Sequence, residues 1–442
     1  MGFVKGSAEV GAKTTSLCSI PPQVASVIRH GKDGSWHDFG GIDREMTTAA
    51  RNCDTAPSDG IASLSERFDP DVMHVPGGRA RVRLVVTGGR SCDAVIAGRR
   101  LRLRDADESA KPDCVLSANP ATWRKIAADL RGGMDAFRAG RLQIRGSLHV
   151  GVGFLAATNG SQERGRLEFD MVRTRGFGSM SVLSAGTGPE TIVCLHGLGG
   201  TKASFLPTVS ALADGYRVVA IDLPGFGESD KPIGAPYDAP WFARSAFAAM
   251  DALGIERAHI AGNSMGGRVA IEAGLVDPDR TAALLLLSPA LAWLRSRPWA
   301  PVLRALRPEL GLIQPAPRPV VEAMVRRLVP AANGGWTAAG VDEFLRAYLS
   351  PSGRAAFYAA ARNIYLDEPH GEHGFWTRLE TLQCDSLFVW GRKDTLVPIG
   401  FMKHVEKALP KARHVELECG HVPQVERPRE THAAIRKFLL DL

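Results

Sequence analysis

A serine between two glycines is the first feature of the chain that could carry out chemistry. Residues 262–266 have the sequence Gly-Asn-Ser-Met-Gly. Residues 257–261 predict a short buried strand before it, and the residues after it have helical periodicity. Glycine suits positions 262 and 266 because a tight strand-to-helix turn would crowd any Cβ there. Such a turn exposes the hydroxyl of Ser264 at the end of a buried strand, where it can act as a nucleophile.

Two further side chains could supply what a serine nucleophile requires. A serine hydroxyl is a poor nucleophile at neutral pH, so a base must take its proton and a carboxylate must hold that base. Asp394 follows a predicted apolar strand, 384–390, and His421 follows the last predicted strand, 414–417. The order Ser264, Asp394, His421 predicts a catalytic triad in which His421 is the general base and Asp394 orients it.

The loop at residues 196–200, His-Gly-Leu-Gly-Gly, is a candidate for stabilising negative charge. Attack of a serine on a carbonyl develops an oxyanion, which needs backbone N–H donors aimed at it. Glycines allow this loop to point an amide inward, and we predict the amide of Leu198 as one donor. The amide of Met265, at the start of the predicted helix, is the other. His196 is expected to brace the loop rather than to act as a base.

Strands that alternate with helices must position these residues. Apolar runs predict strands at 168–174, 179–184, 191–195, 216–221, 257–261, 281–287, 384–390 and 414–417. This alternation favours a parallel sheet covered by helices on both faces. The segment 289–379 is instead helical and rich in aromatic residues, so we predict a lid over the catalytic end of the sheet. Most of its aromatic side chains are expected to form the core of the lid and a few to line an apolar pocket, and the sequence does not say which.

These motifs, together with residues 222–229 (Asp-Leu-Pro-Gly-Phe-Gly-Glu-Ser), resemble the α/β-hydrolase superfamily over about 270 residues. The resemblance implies the α/β-hydrolase fold, with a mostly parallel eight-stranded sheet and a helical lid. It also implies that residues 222–229 form a structural loop. We therefore expect Glu228 and Asp230 to structure this loop rather than to take part in catalysis.

A second α/β pattern precedes the first one. Strands are predicted at 80–86, 94–97, 100–104 and 113–117, and a helix at 121–131 begins after Asn119-Pro120. A further strand around Arg145-Gly146 is expected to include Leu148 and Val150. Residues 113–117, 123–126 and 136–148 resemble the sterol-carrier-protein family. The resemblance implies a small α+β domain, with a five-stranded sheet and an apolar tunnel for a lipid or fatty-acyl ligand.

Composition and turn residues divide the chain into three parts. Residues 1–60 are rich in Gly, Ser, Thr and Asp and have no long periodic run, so we expect a poorly ordered segment. The sterol-carrier-like domain is assigned to 61–160 and the hydrolase-like domain to 166–442. The polar, turn-rich residues 158–165 are the predicted linker.

The positive charge of the chain is concentrated in the second of these parts. Residues 76–150 contain 15 Lys and Arg against 7 Asp and Glu, whereas the net charge of the whole chain is +7. Arginines alternate with apolar residues at 79–84 and 100–104, the pattern of a half-buried strand. Because no aromatic residues are interleaved for stacking, the pattern favours a solvated sheet face over a nucleic-acid site.

Seven cysteines, without a Cys-x-x-Cys pair, suggest mostly reduced structural thiols and no zinc site. No apolar run is long enough to cross a bilayer and no signal peptide is recognisable, so a cytoplasmic protein without stable membrane insertion is expected. No cofactor or metal is predicted.

We expect a serine hydrolase that cleaves a carboxylic ester, or a related acyl bond, of an apolar substrate through an acyl-enzyme. Residues 263–267 also resemble the corresponding turn of meta-cleavage-product carbon–carbon hydrolases, which usually place Trp after the catalytic histidine, where this chain has Val422. Epoxide hydrolases and haloalkane dehalogenases of the superfamily carry an aspartate nucleophile, so Ser264 disfavours both. Carbon–carbon hydrolysis, perhydrolysis as a side activity, and a non-enzymatic lipid-binding protein with a silent hydrolase scaffold are the alternatives.

Overall fold

The computed structural model describes residues 60–128, 136–137, 139–158, 167–293, 300–305, 307–313, 317, 319–320, 322–323 and 336–442. The predicted poorly ordered segment, 1–60, lies outside these residues except for Gly60, and so does most of the predicted linker, 158–165. Both assignments, and the domain bounds drawn from them, therefore stay predictions. All described residues belong to one compact unit.

We call the described residues before position 159 the N-terminal module. This module contains a five-stranded sheet of order β3-β2-β1-β4-β5. Its strands are β1 (Arg79–Val86), β2 (Ser91–Ala97), β3 (Arg100–Asp105), β4 (Cys114–Ala118) and β5 (Leu142–Gly146). Strand β1 pairs antiparallel with β2 and parallel with β4. The helices are α1 (Ile61–Glu66), α2 (Pro120–Ala128) and α3 (Leu148–Ala157). As predicted, Asn119 caps α2, and its side chain accepts a hydrogen bond of 2.8 Å from the amide of Thr122.

The strand expected to include Leu148 and Val150 is wrong, because the chain turns into α3 after β5. Gly146 has φ +88°, which ends the strand, and the hydroxyl of Ser147 accepts from the amide of Val150 at 3.2 Å as the N-cap of α3. Every residue of α3 is buried. A helix that is apolar on all sides has no amphipathic period, so its sequence does not distinguish it from a buried strand.

Arginines line a groove of about 600 Å³ on the outer face of this sheet. The register places Arg79 and Arg100 on either side of Ala97, and Arg81 and Arg102 on either side of Val95. The arginines of β3 are exposed, whereas Leu101 and Leu103 pack against the core, as the alternation predicts.

Arg83 departs from this pattern, since it is buried against Asp93. Its Nε lies 2.8 Å from Oδ1, and Nη1 of Arg81 lies 2.8 Å from Oδ2 of the same carboxylate. Burial raises the pKa of Asp93, but the hydrogen bonds from Arg83, from Arg81 and from the amide of Asp107 lower it by more, so the pKa lies below its ordinary value. Arg83 and Asp93 therefore form a buried ion pair within the N-terminal module.

The second sheet has eight strands in the order β13-β12-β11-β10-β8-β9-β7-β6. Strands β8 to β13 run parallel, and the hairpin β6–β7 joins them by antiparallel pairing of β7 with β9. The predicted fold is thus confirmed. The strands are β6 (Glu168–Thr174), β7 (Gly178–Ala185), β8 (Thr191–Leu195), β9 (Arg217–Ile221), β10 (Ala258–Asn263), β11 (Thr281–Leu287), β12 (Ser386–Gly391) and β13 (Arg413–Leu417).

Helices lie between and after these strands. Those outside the lid are α4 (Leu206–Leu212), α5 (Ala239–Ala252), α6 (Met265–Val276), α12 (Met402–Ala408), α13 (Pro423–Glu426) and α14 (Pro428–Leu440). The described helices of the segment between β11 and β12 are α7 (Ala300–Ala305), α8 (Pro308–Gly311), α9 (Trp336–Tyr348), α10 (Pro351–Tyr365) and α11 (Phe375–Leu379). We call this segment the lid; its predicted bounds, 289–379, enclose these helices and also residues outside the described part.

Main-chain hydrogen bonds join the N-terminal module to the outer edge of the larger sheet. Met73 pairs with Phe169 of β6 in a parallel bridge. The amide of His74 donates to the carbonyl of Phe169 at 2.9 Å, and the amide of Phe169 donates to that of Val72 at 2.8 Å. Strand β6 is the last of its sheet, so residues 72–74 cover part of an edge that would otherwise be open.

Four of the described cysteines, Cys114, Cys194, Cys384 and Cys419, are free. Cys92 is disulfide-bonded, so the expectation of a reduced thiol is wrong for this residue. Among the described residues, no helix has the length and apolarity needed to cross a membrane.

Candidate functional site

Ser264 stands on a strained turn between β10 and α6. Its φ of 55° and ψ of −116° are unusual for a residue with a side chain. A Cβ at Gly262 would clash with the carbonyl of Gly266, and a Cβ at Gly266 would clash with that of Leu195. The turn therefore needs both glycines, as the motif predicts, and it holds the side chain of Ser264 at the carboxyl end of the sheet.

Asp394 and His421 meet at the same end of the sheet. Nδ1 of His421 lies 2.7 Å from Oδ2 of Asp394, and both side chains are buried. Oδ1 of Asp394 accepts from the amides of Leu396 at 2.8 Å and Val397 at 3.0 Å. Because a carboxylate accepts, Nδ1 of His421 carries the donated proton, which leaves Nε2 as the basic nitrogen of the neutral ring.

His421 is also tied to the turn that carries Ser264. Nδ2 of Asn263 donates to the carbonyl of His421 at 3.0 Å and to that of Leu287 at 2.9 Å. Nε2 of His421 is buried and makes no hydrogen bond within the described part of the chain. The structure therefore joins the predicted base to the predicted orienting carboxylate, while the hydroxyl of Ser264 is not bonded to the base.

The loop that contains Leu198 lies directly beside Ser264. A Cβ at Gly197 would lie 3.3 Å from Cβ of Ser264, and the amide of Gly200 closes the loop on the carbonyl of Gly197 at 2.9 Å. Met265 is the first residue of α6, so its amide has no acceptor within the helix. Both predicted donors thus belong to backbone that adjoins Ser264; their roles in binding an oxyanion stay predictions.

His196 braces this loop, as predicted. Its Nε2 accepts from the amide of Leu223 at 3.0 Å, so Nδ1 is the protonated nitrogen and donates to the carbonyl of Gly197 at 2.8 Å. The side chain is fully buried, and burial lowers the pKa of His196 below its ordinary value. A neutral ring with both nitrogens engaged suits a structural role.

A buried ion pair fixes the end of the same loop to the one that follows β9. Nζ of Lys202 lies 2.6 Å from Oδ2 of Asp222, and both side chains are almost inaccessible. Asp222 also accepts from the amides of Lys202 at 2.7 Å and Glu228 at 3.0 Å. Burial raises the pKa of Asp222, but the charge of Lys202 and these hydrogen bonds outweigh it and lower the pKa to about 2.

Glu228 and Asp230 take part in the structure of that loop, as predicted. The amide of Glu228 donates to Asp222, and Oδ2 of Asp230 accepts from the amide of Ser179 at 2.7 Å. The side chain of Glu228 makes a further contact that the motif does not indicate: its carboxylate pairs with Arg346 of the lid.

Comparison with known proteins identifies the families of the two parts of the chain. A family model described as alpha/beta hydrolase fold matches residues 190–428, more than half of the chain. The chain belongs to this family. A model of the SCP-2 sterol transfer family matches residues 75–156 of the N-terminal module, which confirms the second resemblance.

Three relatives illustrate the family. The hydrolase is 31% identical over 270 residues to a 2-hydroxy-6-oxononadienedioate/2-hydroxy-6-oxononatrienedioate hydrolase of Paraburkholderia phymatum, covering 58% of this chain and 88% of the relative. It is 30% identical over 264 residues to a pimeloyl-[acyl-carrier protein] methyl ester esterase of Aeromonas hydrophila, covering 59% and 99%. A solved membrane phospholipase A is 26% identical with a TM-score of 0.53, covering 62% and 86%.

Sequence reasoning missed the nearest partner of Ser264 in this hydrolase. Oγ of Ser264 lies 3.2 Å from the phenol oxygen of Tyr365, the last residue of α10. Tyr365 is one of the lid aromatics that the sequence leaves undivided between the core of the lid and the lining of a pocket. Tyr365 is 101 positions from Ser264 and belongs to no local motif, so no signal in the sequence singles it out.

A charged cluster around the buried Arg268 holds the end of α10 against α6. Arg268, one turn after Ser264, pairs with Asp367 and, at 3.2 Å, with Glu272. The guanidinium of Arg268 lies 4.3 Å from the ring centroid of Phe375 in α11. Arg268 is almost fully buried, so these contacts fix the segment that follows Tyr365 to the helix that follows Ser264.

The N-terminal module contacts the lid through helix α9. Asp342 accepts from Nε of Arg145 at 2.6 Å and from the amide of Gly146 at 3.0 Å. Glu343 accepts from the amide of Leu148 at 3.1 Å and from Arg346 at 2.8 Å. One face of α9 is thereby bound to the turn between β5 and α3. Arg346, which also lies on α9, pairs with Glu228 in the loop that follows β9.

The described residues contain no group of three or more His, Cys, Asp or Glu side chains placed to hold a metal ion.

Proposed function

We propose that the chain is a serine hydrolase that cleaves a carboxylic ester, or a related acyl bond, of an apolar substrate through an acyl-enzyme. The observation that carries the proposal is the bond of 2.7 Å between Asp394 and His421, which leaves a buried Nε2 without a hydrogen bond among the described residues. The carbonyl of His421 is bonded to Asn263, next to the strained turn of Ser264. This is the arrangement that a histidine base needs to receive the proton of a serine hydroxyl.

The reaction proceeds in two halves. Nε2 of His421 takes the proton of Ser264 as Oγ attacks the acyl carbonyl, and the amides of Leu198 and Met265 hold the oxyanion. The carbon–oxygen bond to the leaving alcohol then breaks, and His421 returns the proton to that oxygen. Water, deprotonated by His421, attacks the acyl-enzyme and releases the acid together with free Ser264.

In the free enzyme this sequence begins with a rotation of the Ser264 hydroxyl from Tyr365 toward His421. Asp394 holds the ring in the required tautomer and stabilises the imidazolium that forms. The residues around the site favour apolar substrates, because the rings of Phe344 and Phe357 in the lid pack directly against Gly199 of the oxyanion loop. Among the relatives, two are named for a methyl ester and a phospholipid, which also supports ester chemistry.

Labelling with a fluorophosphonate tests the nucleophile. Wild-type protein should be labelled stoichiometrically, and Ser264→Ala should lose labelling and at least about 1,000-fold of the esterase activity. Ser288→Ala is the matched control, since Ser288 is also buried, also follows a neighbouring strand and also has a positive φ. Absence of labelling of folded wild-type protein would instead support the alternative of a silent scaffold.

Carbon–carbon bond hydrolysis is the second candidate, favoured by the relative that is named for a dienedioate substrate. Val422 stands where enzymes of that type usually have Trp. A panel of p-nitrophenyl esters of graded chain length, assayed beside a 2-hydroxy-6-oxo-dienoate, separates the two. Turnover of the dienoate with rates for the esters near background would replace ester cleavage by carbon–carbon cleavage.

The N-terminal module is proposed to hold a lipid or fatty-acyl ligand for the hydrolase. Its match to a sterol transfer family and its bonds to the lid support this part of the proposal. Titration of the full-length Ser264→Ala protein with a fluorescent fatty acid should give saturable binding that unlabelled lipid displaces. A linear, non-displaceable signal would remove the ligand from the proposal.

A further inference from the structure

The phenol of Tyr365 is the one side-chain hydrogen-bond partner of Oγ of Ser264 among the described residues, at 3.2 Å. The mechanism above makes no use of it after the hydroxyl of Ser264 has rotated. A phenol is neutral at pH 7, since the ordinary pKa of tyrosine is about 10, so it can donate a hydrogen bond without supplying a proton.

The segment that follows this phenol is tied to the helix that follows the nucleophile. Arg268 of α6 binds Asp367, two residues after Tyr365, and the same arginine is held by Glu272. Glu272 is held in turn by Arg378 of the lid. The segment that follows Tyr365 is therefore joined to the helix that follows Ser264 by a charged cluster in which Arg268 and Glu272 are buried.

The chemistry of attack brings a negative charge to the place that this donor can reach. When Oγ bonds to the acyl carbon, Oγ and the carbonyl oxygen become substituents of one tetrahedral carbon. The oxyanion is then two bonds away from Oγ, where a donor that lies within hydrogen-bond distance of Oγ can reach it. The proton of Ser264 goes to Nε2 of His421, and the phenol keeps its own proton throughout.

We propose that Tyr365 is a catalytic residue whose phenol transfers its hydrogen bond from Oγ of Ser264 to the oxyanion, as a third donor beside the amides of Leu198 and Met265. This inference rests on the proposed serine chemistry. It assigns to the lid a direct part in stabilising the transition state. It also explains why the hydroxyl of Tyr365, at the end of α10, lies against the nucleophile.

The test compares Tyr365→Phe with Tyr358→Phe. Tyr358 lies on the same helix, and its hydroxyl bonds to the hydroxyl of Tyr348 at 3.1 Å, away from Ser264. Each variant loses one phenol hydroxyl and keeps the ring, so the thermal unfolding midpoints of both should stay close to the wild-type value. The rates are measured with a p-nitrophenyl ester and with a fluorophosphonate, whose transfer to Ser264 develops the same charge on oxygen.

In Tyr365→Phe, kcat should fall about 100-fold, as for loss of one oxyanion donor, and KM should change by less than about threefold. The rate constant of fluorophosphonate labelling should fall by a similar factor, whereas Tyr358→Phe should stay within about twofold of wild type. Faster labelling of Tyr365→Phe would overturn the inference, because the phenol would then restrain the nucleophile. Unchanged rates would reduce Tyr365 to packing.

Failure of the inference and failure of the proposed function have different signatures. If wild type and Ser264→Ala are equally unlabelled, the serine chemistry itself is wrong. If labelling requires Ser264 but does not respond to Tyr365→Phe, only the third donor is wrong.

Discussion

Replacing Asp222 by Asn tests how much the buried ion pair at the end of loop 196–200 contributes to the free energy of unfolding. The substitution keeps the shape of the side chain and removes its charge. The described residues give Nζ of Lys202 one hydrogen-bond acceptor, Asp222 at 2.6 Å, and the Lys202 side chain is only 3% exposed. In the variant, a buried ammonium group therefore loses the anion that compensates it.

Two estimates give the size of the expected loss in the free energy of unfolding. Breaking a buried ion pair by removing one partner costs about 3–5 kcal/mol of the free energy of unfolding, because the remaining charge stays buried. The lowering of the Asp222 pKa from 3.8 to about 2 is linked to about 2.5 kcal/mol of stability at neutral pH. Since the folded-state pKa is lowered, this contribution is complete above about pH 5 and is lost as the pH falls through about 2.

Urea unfolding followed by tryptophan fluorescence measures this difference at pH 7 and at pH 3. We expect Asp222→Asn to lose about 3–5 kcal/mol at pH 7. The gap from wild type should narrow by roughly 1 kcal/mol at pH 3, where part of the wild-type contribution is already lost. The double variant Lys202→Met/Asp222→Asn should lose less than the sum of the single variants.

Asp441→Asn is the control, because it removes the same charge from the half-exposed pair with Arg413. Its free energy of unfolding should equal the wild-type value within error. A loss below about 1 kcal/mol in Asp222→Asn, or a gap from wild type that is the same at both pH values, would refute the reasoning.

Two further substitutions examine the N-terminal module. Asp93→Asn removes the closest carboxylate from the buried guanidinium of Arg83 and leaves it only the exposed Glu108 at 3.3 Å, so the free energy of unfolding should fall by about 3 kcal/mol at pH 7. Because the pKa of Asp93 is lowered in the folded state, this gap should shrink below about pH 4; urea unfolding at both pH values checks both statements. Asp342→Asn weakens the contact of the lid with Arg145, which is about half exposed, so stability should fall by only about 1 kcal/mol. Limited proteolysis within the lid should nevertheless become faster, and an unchanged cleavage rate would contradict the role of this contact.

The larger sheet could be predicted closely because its strands are short buried apolar runs between turn residues. Residues 191–195 and 281–287 were predicted as strands with the bounds that the structure has. The pairing of Asp394 with His421 was also foreseeable, since each follows a predicted parallel strand and such strands end at one edge of a sheet.

The contacts that lie between segments could not be predicted in this way. Tyr365 reaches Ser264 and Asp342 reaches Arg145 across 101 and 197 positions, and neither pair leaves a local pattern. Helix α3 was mistaken for a strand because burial on every side removes the amphipathic period. In each case the position depends on packing between elements, which the spacing of residues within one element does not record.

The bridge between Met73 and Phe169 affects how the protein can be divided experimentally. A fragment cut in the linker would begin with β6 and lack residues 72–74, so backbone groups of an outer strand would become available to other molecules. The same cut would separate Asp342 and Glu343 from their donors in the turn between β5 and α3. The hydrolase expressed alone should therefore tend to self-associate through strand pairing, and its inactivity could not be taken as evidence about the catalytic residues.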